Sequence, residues 1–185
     1  MMNSSLVSHW FRDGFSLLHP QLQHLHQQGG QLDGAVEVRF GQGLAGFIGK
    51  RLAKKLGIPT THIPHHLTVN ISHSHQALHW HRCFANSTIM RSSFYPTGHW
   101  PTGYWTEKTG RLQMDLAVDV IDGGWFWRCL AMRVGKLPLP LWLMPKMTAY
   151  KTIEQQQYRF YVAFSLPVLG LLFSYSGLLQ PTYNH

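Results

Sequence analysis

The chain has 185 residues, enough for one domain with a substantial core. A hydrophobic fraction of 44% excludes a disordered protein, and two cysteines exclude a disulfide scaffold. Eight acidic residues against sixteen Lys and Arg leave a formal charge of +8, which favours anionic partners without choosing among lipid headgroups, nucleic acid and acidic small molecules.

The N-terminus, Met1 to Gly14, has no basic region followed by an apolar run, so no secretory signal is expected. Cys83 and Cys129 both fall on candidate strands, as free core thiols would in a reducing compartment. The expected location is cytoplasmic or membrane-peripheral. Leu6, Trp10, Leu17, Leu18, Leu22 and Leu25 predict helix on either side of a break at His19-Pro20. A strand is predicted over 32–40, where Val36, Val38 and Phe40 alternate with Glu37 and Arg39. Gly41-Gln42-Gly43 then leads into a helix, Leu44 to Leu56, closed by Gly57 and Pro59. Its apolar stripe of Leu44, Phe47, Ile48, Leu52 and Leu56 is expected to pack on a sheet. Lys50, Arg51, Lys54 and Lys55 stand elsewhere on it, solvated or in weak contact with an anionic membrane surface.

From His66 onward the pattern is strand and turn. Strands are predicted over 66–72, 77–86, 112–120, 125–134, 147–155, 158–166 and 170–179. In the third of these, Leu112, Met114, Leu116, Val118 and Val120 alternate with Gln113, Asp115 and Asp119. The uncharged run 161–179 nearly reaches membrane-spanning length, but Pro167 and Gly170 read as a turn between two strands. The expected architecture is α+β and predominantly β, one domain over 1–185. It is a curved or barrel-like antiparallel sheet of about eight to nine strands, with an N-terminal helix and one helix packed on the sheet.

Several stretches resemble the bacterial family known as domain of unknown function 4166. They are Leu18-His19-Pro20, the passage ending Leu56-Gly57-Ile58-Pro59, and the strand Trp80-His81-Arg82-Cys83-Phe84. Leu137-Pro138-Leu139-Pro140, Trp142-Leu143-Met144-Pro145, Ser165 to Gly170 and Tyr175-Ser176-Gly177 complete the likeness, which covers about residues 16–180. The resemblance implies no assigned activity. Some members look to be joined to a dehydrogenase-like nucleotide-binding domain, which implies an accessory or ligand-binding role beside redox chemistry.

Gly41-x-Gly43-x-x-Gly46 matches the dinucleotide fingerprint as a string, but the βαβ unit is missing and His62 to His66 occupy the place of its acidic residue. No cofactor is expected. Thirteen histidines include His73-x-His75 and His79-x-His81 beside a predicted hairpin turn, a spacing open to a metal. The stretch 63–90 holds no Asp or Glu to orient the rings, so these histidines are expected to form a polar outer face without a physiological metal. Arg82 shares a strand face with Trp80 and Phe84, where a guanidinium needs a partner. Either it pairs with Glu107, Asp122 or Glu154, or it faces a cavity and binds a carboxylate or phosphate. No catalytic motif and no nucleic-acid motif is found, so an enzyme is left open and nucleic acid is not expected. The expected function is to bind a hydrophobic or amphipathic anionic small molecule, lipid-like or aromatic, in a sheet-enclosed pocket walled by Trp80, Arg82 and Phe84. The alternatives are an enzyme or accessory subunit working with a separate oxidoreductase, and a structural or interaction domain with a filled core.

Overall fold

The computed structural model describes residues 5–61, 63–84 and 88–183. His62, and positions 85 and 86 of the strand expected over 77–86, lie outside them. Eleven strands form one antiparallel sheet: β1 (Gly30–Phe40), β2 (His65–His73), β3 (Leu78–Phe84), β4 (Thr88–Thr97), β5 (Tyr104–Thr109), β6 (Leu112–Ile121), β7 (Gly124–Val134), β8 (Leu137–Leu139), β9 (Lys146–Glu154), β10 (Gln157–Leu166) and β11 (Gly170–Thr182). Neighbours in the chain pair up to β8, β7 also pairs β9, and β1 pairs β11. Ten strands therefore close into an up-and-down barrel, with β8 outside it.

The expected α+β class and barrel-like sheet hold, but the strand number is higher than eight or nine. The additions are β4, β5 and β8. The inward faces of β4 and β5 carry Ser92, Glu107 and Thr109 among Met90, Phe94 and Trp105, and that polar content blurs the alternation. Elsewhere the pleat is regular: Leu67, Val69 and Ile71 of β2 are buried, whereas His66, Asn70 and Ser72 are exposed. Tight turns join the hairpins at Asp122-Gly123 and Gln155-Gln156, both with positive φ at each residue. Among the described residues no helix is long and apolar enough to cross a membrane, and 161–179 is the β10–β11 hairpin.

Alternating strand direction sends successive connections to opposite ends. One end is plugged by α1 (Leu6–Phe11), a 3-10 segment (Arg12–Leu17) and α2 (Pro20–Gln28). Ser5 caps α1, and His19 Nδ1 accepts from the Gln21 amide with Pro20 in the first turn of α2. Trp10, Phe11, Leu18, Leu22 and Leu25 are buried beneath this plug, and Trp10 lies 5.3 Å from Trp105. Trp100, in the β4–β5 connection, donates its amide to the Trp10 carbonyl at 3.1 Å and its indole to the Val118 carbonyl at 3.2 Å, which ties the plug to the wall.

At the other end α3 (Gly43–Leu56) joins β1 to β2. It stops at left-handed Gly57, with the Ile58 amide returning to the Ala53 carbonyl at 2.9 Å. The expected packing of its large apolar stripe is only half right. The face against β11 is made of Ala45, Gly46, Gly49 and Ala53, while Leu44 and Phe47 stand in the open. Ile48, Leu52 and Leu56 turn toward the barrel opening instead. A side chain at Gly41 or Gly49 would overlap the backbone of Leu171 or Leu172, so these glycines let the helix backbone meet the strand. Of the glycine fingerprint string only Gly41 makes this strand contact; Gly43 takes a positive φ and Gly46 packs on the Gly41 carbonyl.

The opening itself follows from a fork in β7. Trp125, Phe126 and Trp127 pair with β9, but Met132, Arg133 and Val134 pair with β8. Beyond Trp127 the two walls part, and Met144 and Pro145, just before β9, line a cleft. Gly49→Ala is expected to lower unfolding free energy by about 1–3 kcal/mol, the usual cost of forcing atoms into a packed contact. Urea denaturation reads this, and an unchanged midpoint would mean α3 does not sit against β11.

Candidate functional site

Alternation on β3 turns Trp80, Arg82 and Phe84 inward together. The Arg82 guanidinium lies 5.2 Å from the Trp80 ring and donates through Nη1 to the Ser92 hydroxyl at 2.9 Å. Ser92 and Thr109 hydroxyls meet at 2.6 Å, and Thr109 donates to Glu107 Oε1 at 3.1 Å. Glu107 is thus linked to Arg82 through two hydroxyls rather than in an ion pair. Among the described residues no carboxylate comes within salt-bridge distance of Arg82; Glu154 instead approaches Arg159 at 3.9 Å. Arginine carries five N–H donors, and one is used.

A second cation faces the same interior. Lys151, on β9 beside Trp125 and Phe160, is 2% exposed. Its amine lies 2.8 Å from His26 Nε2 and sits over the rings of Trp125, Trp80 and Trp127 at 3.7, 4.6 and 5.5 Å. Three indole faces favour an ammonium, each by about 0.5–2 kcal/mol. Burial costs an ion several kcal/mol, and no carboxylate repays it. Burial, with the nearby Arg82 charge, therefore holds the Lys151 pKa well below the ordinary lysine value. Burial and then Lys151 lower His26 in the same way. Around this pair His26 Nδ1, the Trp80, Trp105 and Trp125 indole nitrogens and the Tyr158 hydroxyl are buried without a hydrogen-bond partner.

Two internal cavities flank Arg82. One, of about 60 Å³, is lined by Arg82, Glu107, Thr109, Trp127 and Tyr175 and reaches Leu56, Leu112 and Phe164. The other, of about 50 Å³, shares Trp80, Arg82, Trp127 and Tyr175 with it and ends at Lys151 and Tyr158. Leu56, Leu112 and Phe164 also line an open cleft of about 930 Å³ at the mouth, formed with Met132, Leu143 and Leu172. The polar interior and the mouth cleft thus share Leu56, Leu112 and Phe164 as lining.

Of the residues named from sequence, Trp80 and Arg82 line both cavities. Phe84 is buried in the wall 6.5 Å from Tyr175. The four histidines do not converge. His73 lies opposite Leu78, His75 sits in the turn, and His79 points to the other face, bonded to Ser93 and Ser74. Among the described residues no three His, Cys, Asp or Glu side chains are grouped to hold a metal. Sequence reasoning missed Lys151 and His26. Lys151 carried a signal, because it shares the inward face of 147–155 with Met147 and Ala149. His26 carried none.

These features define a closed antiparallel β-barrel with charged side chains in its interior and an open cleft at one end. Within that class the chain belongs to the family described as Domain of unknown function (DUF4166), which matches residues 18–179. No curated protein matches the chain.

Because Lys151 binds its proton less tightly in the fold than in the unfolded chain, its contribution makes stability rise with pH up to the ordinary value of 10.5. Cys129, Tyr158 and Tyr175 have raised values and act in the opposite direction, but only as pH passes their ordinary 9.0 and 10.0. Between neutral pH and 9.0 the urea midpoint is expected to climb, and Lys151→Met should flatten that climb. An identical slope in the variant would place the titration elsewhere.

Proposed function

We propose that the barrel binds an amphipathic anionic small molecule, lipid-like or aromatic, with its acidic head at Arg82 and its apolar body leading out through the mouth. The observation that carries this is a guanidinium on a cavity wall that has, among the described residues, one hydrogen bond and no carboxylate partner. Volume supports the orientation. A water needs about 10–15 Å³ of such space, so each inner cavity suits a head of a few atoms and not a whole ligand. The mouth cleft of 930 Å³ lies within the range of about 300–1,000 Å³ that drug-sized ligands occupy. Trp80 and Trp127 stand beside the proposed head and would report binding.

Native mass spectrometry after gentle purification, and tryptophan fluorescence titration with fatty acids, their methyl esters and isoprenoid quinones, test this reading. Saturable binding of the free acids is expected. Arg82→Met should weaken it by about 10- to 100-fold, as loss of a hydrogen bond to a charged group does, and leave ester binding unaffected. No bound species and no response across the panel would leave the filled-core reading standing.

One observation favours a second reading, in the enzyme class. Lys151 presents a buried amine of lowered pKa to a cavity, with His26 in hydrogen-bond contact. Such an amine adds to an aldehyde, and loss of water leaves an imine. Borohydride trapping with a long-chain aldehyde is expected to alkylate the wild type at Lys151. Labelling that persists in Lys151→Met would remove this reading.

A further inference from the structure

The two ends of the barrel differ in chemistry far more than closure requires. The described mouth-end connections are 41–61, 63–64, 110–111, 135–145 and 167–169, and they contain no Asp or Glu. They contain Lys50, Arg51, Lys54, Lys55, Arg111 and Lys136, and Lys146 opens β9 beside them. Every acidic residue of the chain lies elsewhere.

The same end gathers the exposed apolar side chains. Among the described residues fourteen large ones are exposed, and all but Leu17, Ile121 and Leu130 lie in or beside these connections. Val168 is 94% and Trp142 77% exposed, at the β10–β11 turn and in the 3-10 segment Leu141–Leu143. On α3, Leu44 and Phe47 are outside while glycine and alanine face the strand, and Arg51 lies 4.9 Å over the Phe47 ring. An ordinary surface helix has the opposite arrangement. Apolar tips and cations, on connections that carry no carboxylate, thus stand around the mouth cleft.

We propose that the mouth docks on an anionic lipid bilayer, the apolar tips entering the headgroup boundary and the lysines and arginines meeting lipid phosphates. Both signals that stable peripheral attachment needs are present, apolar area and a basic patch. A second copy of this chain fits less well, because a self-docking mouth would set cation against cation. Docking needs only the outer rim, so it stands apart from what the interior binds. Where both hold, an amphiphile passes from the bilayer to Arg82 without crossing water.

Vesicle co-sedimentation of the full chain, with no added ligand, tests it. Vesicles of phosphatidylcholine with about one third phosphatidylglycerol are expected to bind at least about tenfold better than phosphatidylcholine alone, since anionic lipid attracts each basic residue. Binding should fall steeply as salt rises from about 0.05 to about 0.5 M. Lys54→Glu with Lys55→Glu, and separately Trp142→Ser with Val168→Ser, should each reduce it at least about tenfold. Leu17→Ser with Ile121→Ser, at the plugged end, should not. Equal binding to neutral vesicles, no binding to anionic ones, or indifference to the Trp142 and Val168 pair would overturn the proposal. So would a dimer in sedimentation equilibrium that the Trp142→Ser, Val168→Ser variant dissociates.

Discussion

β1 and β11 meet along a seam that runs from Gln31 opposite Thr182 to Phe40 opposite Phe173, joining the first strand of the chain to the last. Until that seam forms, β1 and β11 are edge strands with unpaired amides and carbonyls. Once it forms, every second residue of ten strands is committed to a shared interior, and what those positions hold decides what the molecule can do. Gly177 sits on the seam where a Cβ would press on the Ala35 carbonyl, so the strands approach closely there. The cost of the seam is the longest loop closure the chain contains, and it is offset by a hydrophobic core that includes both Trp10 and Phe173.

Closure makes the inward polar residues expensive. Arg82 and Lys151 could have been leucines without disturbing the alternation, and a buried ion is commonly less stable than its apolar replacement. The fold lowers that cost without removing it. Indole faces surround Lys151, and two hydroxyls carry a hydrogen-bonded link from Arg82 to Glu107 without bringing the charges together. A direct Arg82–Glu107 ion pair would have left nothing for a ligand to neutralise. The relay instead leaves the guanidinium on the cavity wall, where the proposed acidic head would meet it.

Much of this was legible from residue pattern alone. The alternation in β6, the glycine and proline turns and the His19-Pro20 break located most elements to within a few residues. Arg82 stood out because a charge shared a face with Trp80 and Phe84. The unread strands, β4 and β5, are those that bring Ser92, Glu107 and Thr109 inside, so pattern reading failed where the interior departs from a plain apolar core. His26 and Lys151 are 125 positions apart, and only closure of the barrel beneath α2 brings them to 2.8 Å. The orientation of α3 escaped for a different reason. Hydrophobic periodicity marks the larger side chains as buried, whereas close backbone packing selected the small ones.

The barrel thus has a plugged end, a charged middle and an apolar, basic mouth, stacked along one axis. In the middle, Arg82 is the proposed seat of an acidic head. Crystals grown with an excess of a fatty acid brominated at the tail end would test that directly. The account predicts a carboxylate within about 3 Å of the Arg82 guanidinium and an anomalous bromine peak in the mouth cleft beside Leu143 and Leu172. A bromine peak at the closed end with the carboxylate in solvent, or an interior unchanged at saturating ligand, would contradict it.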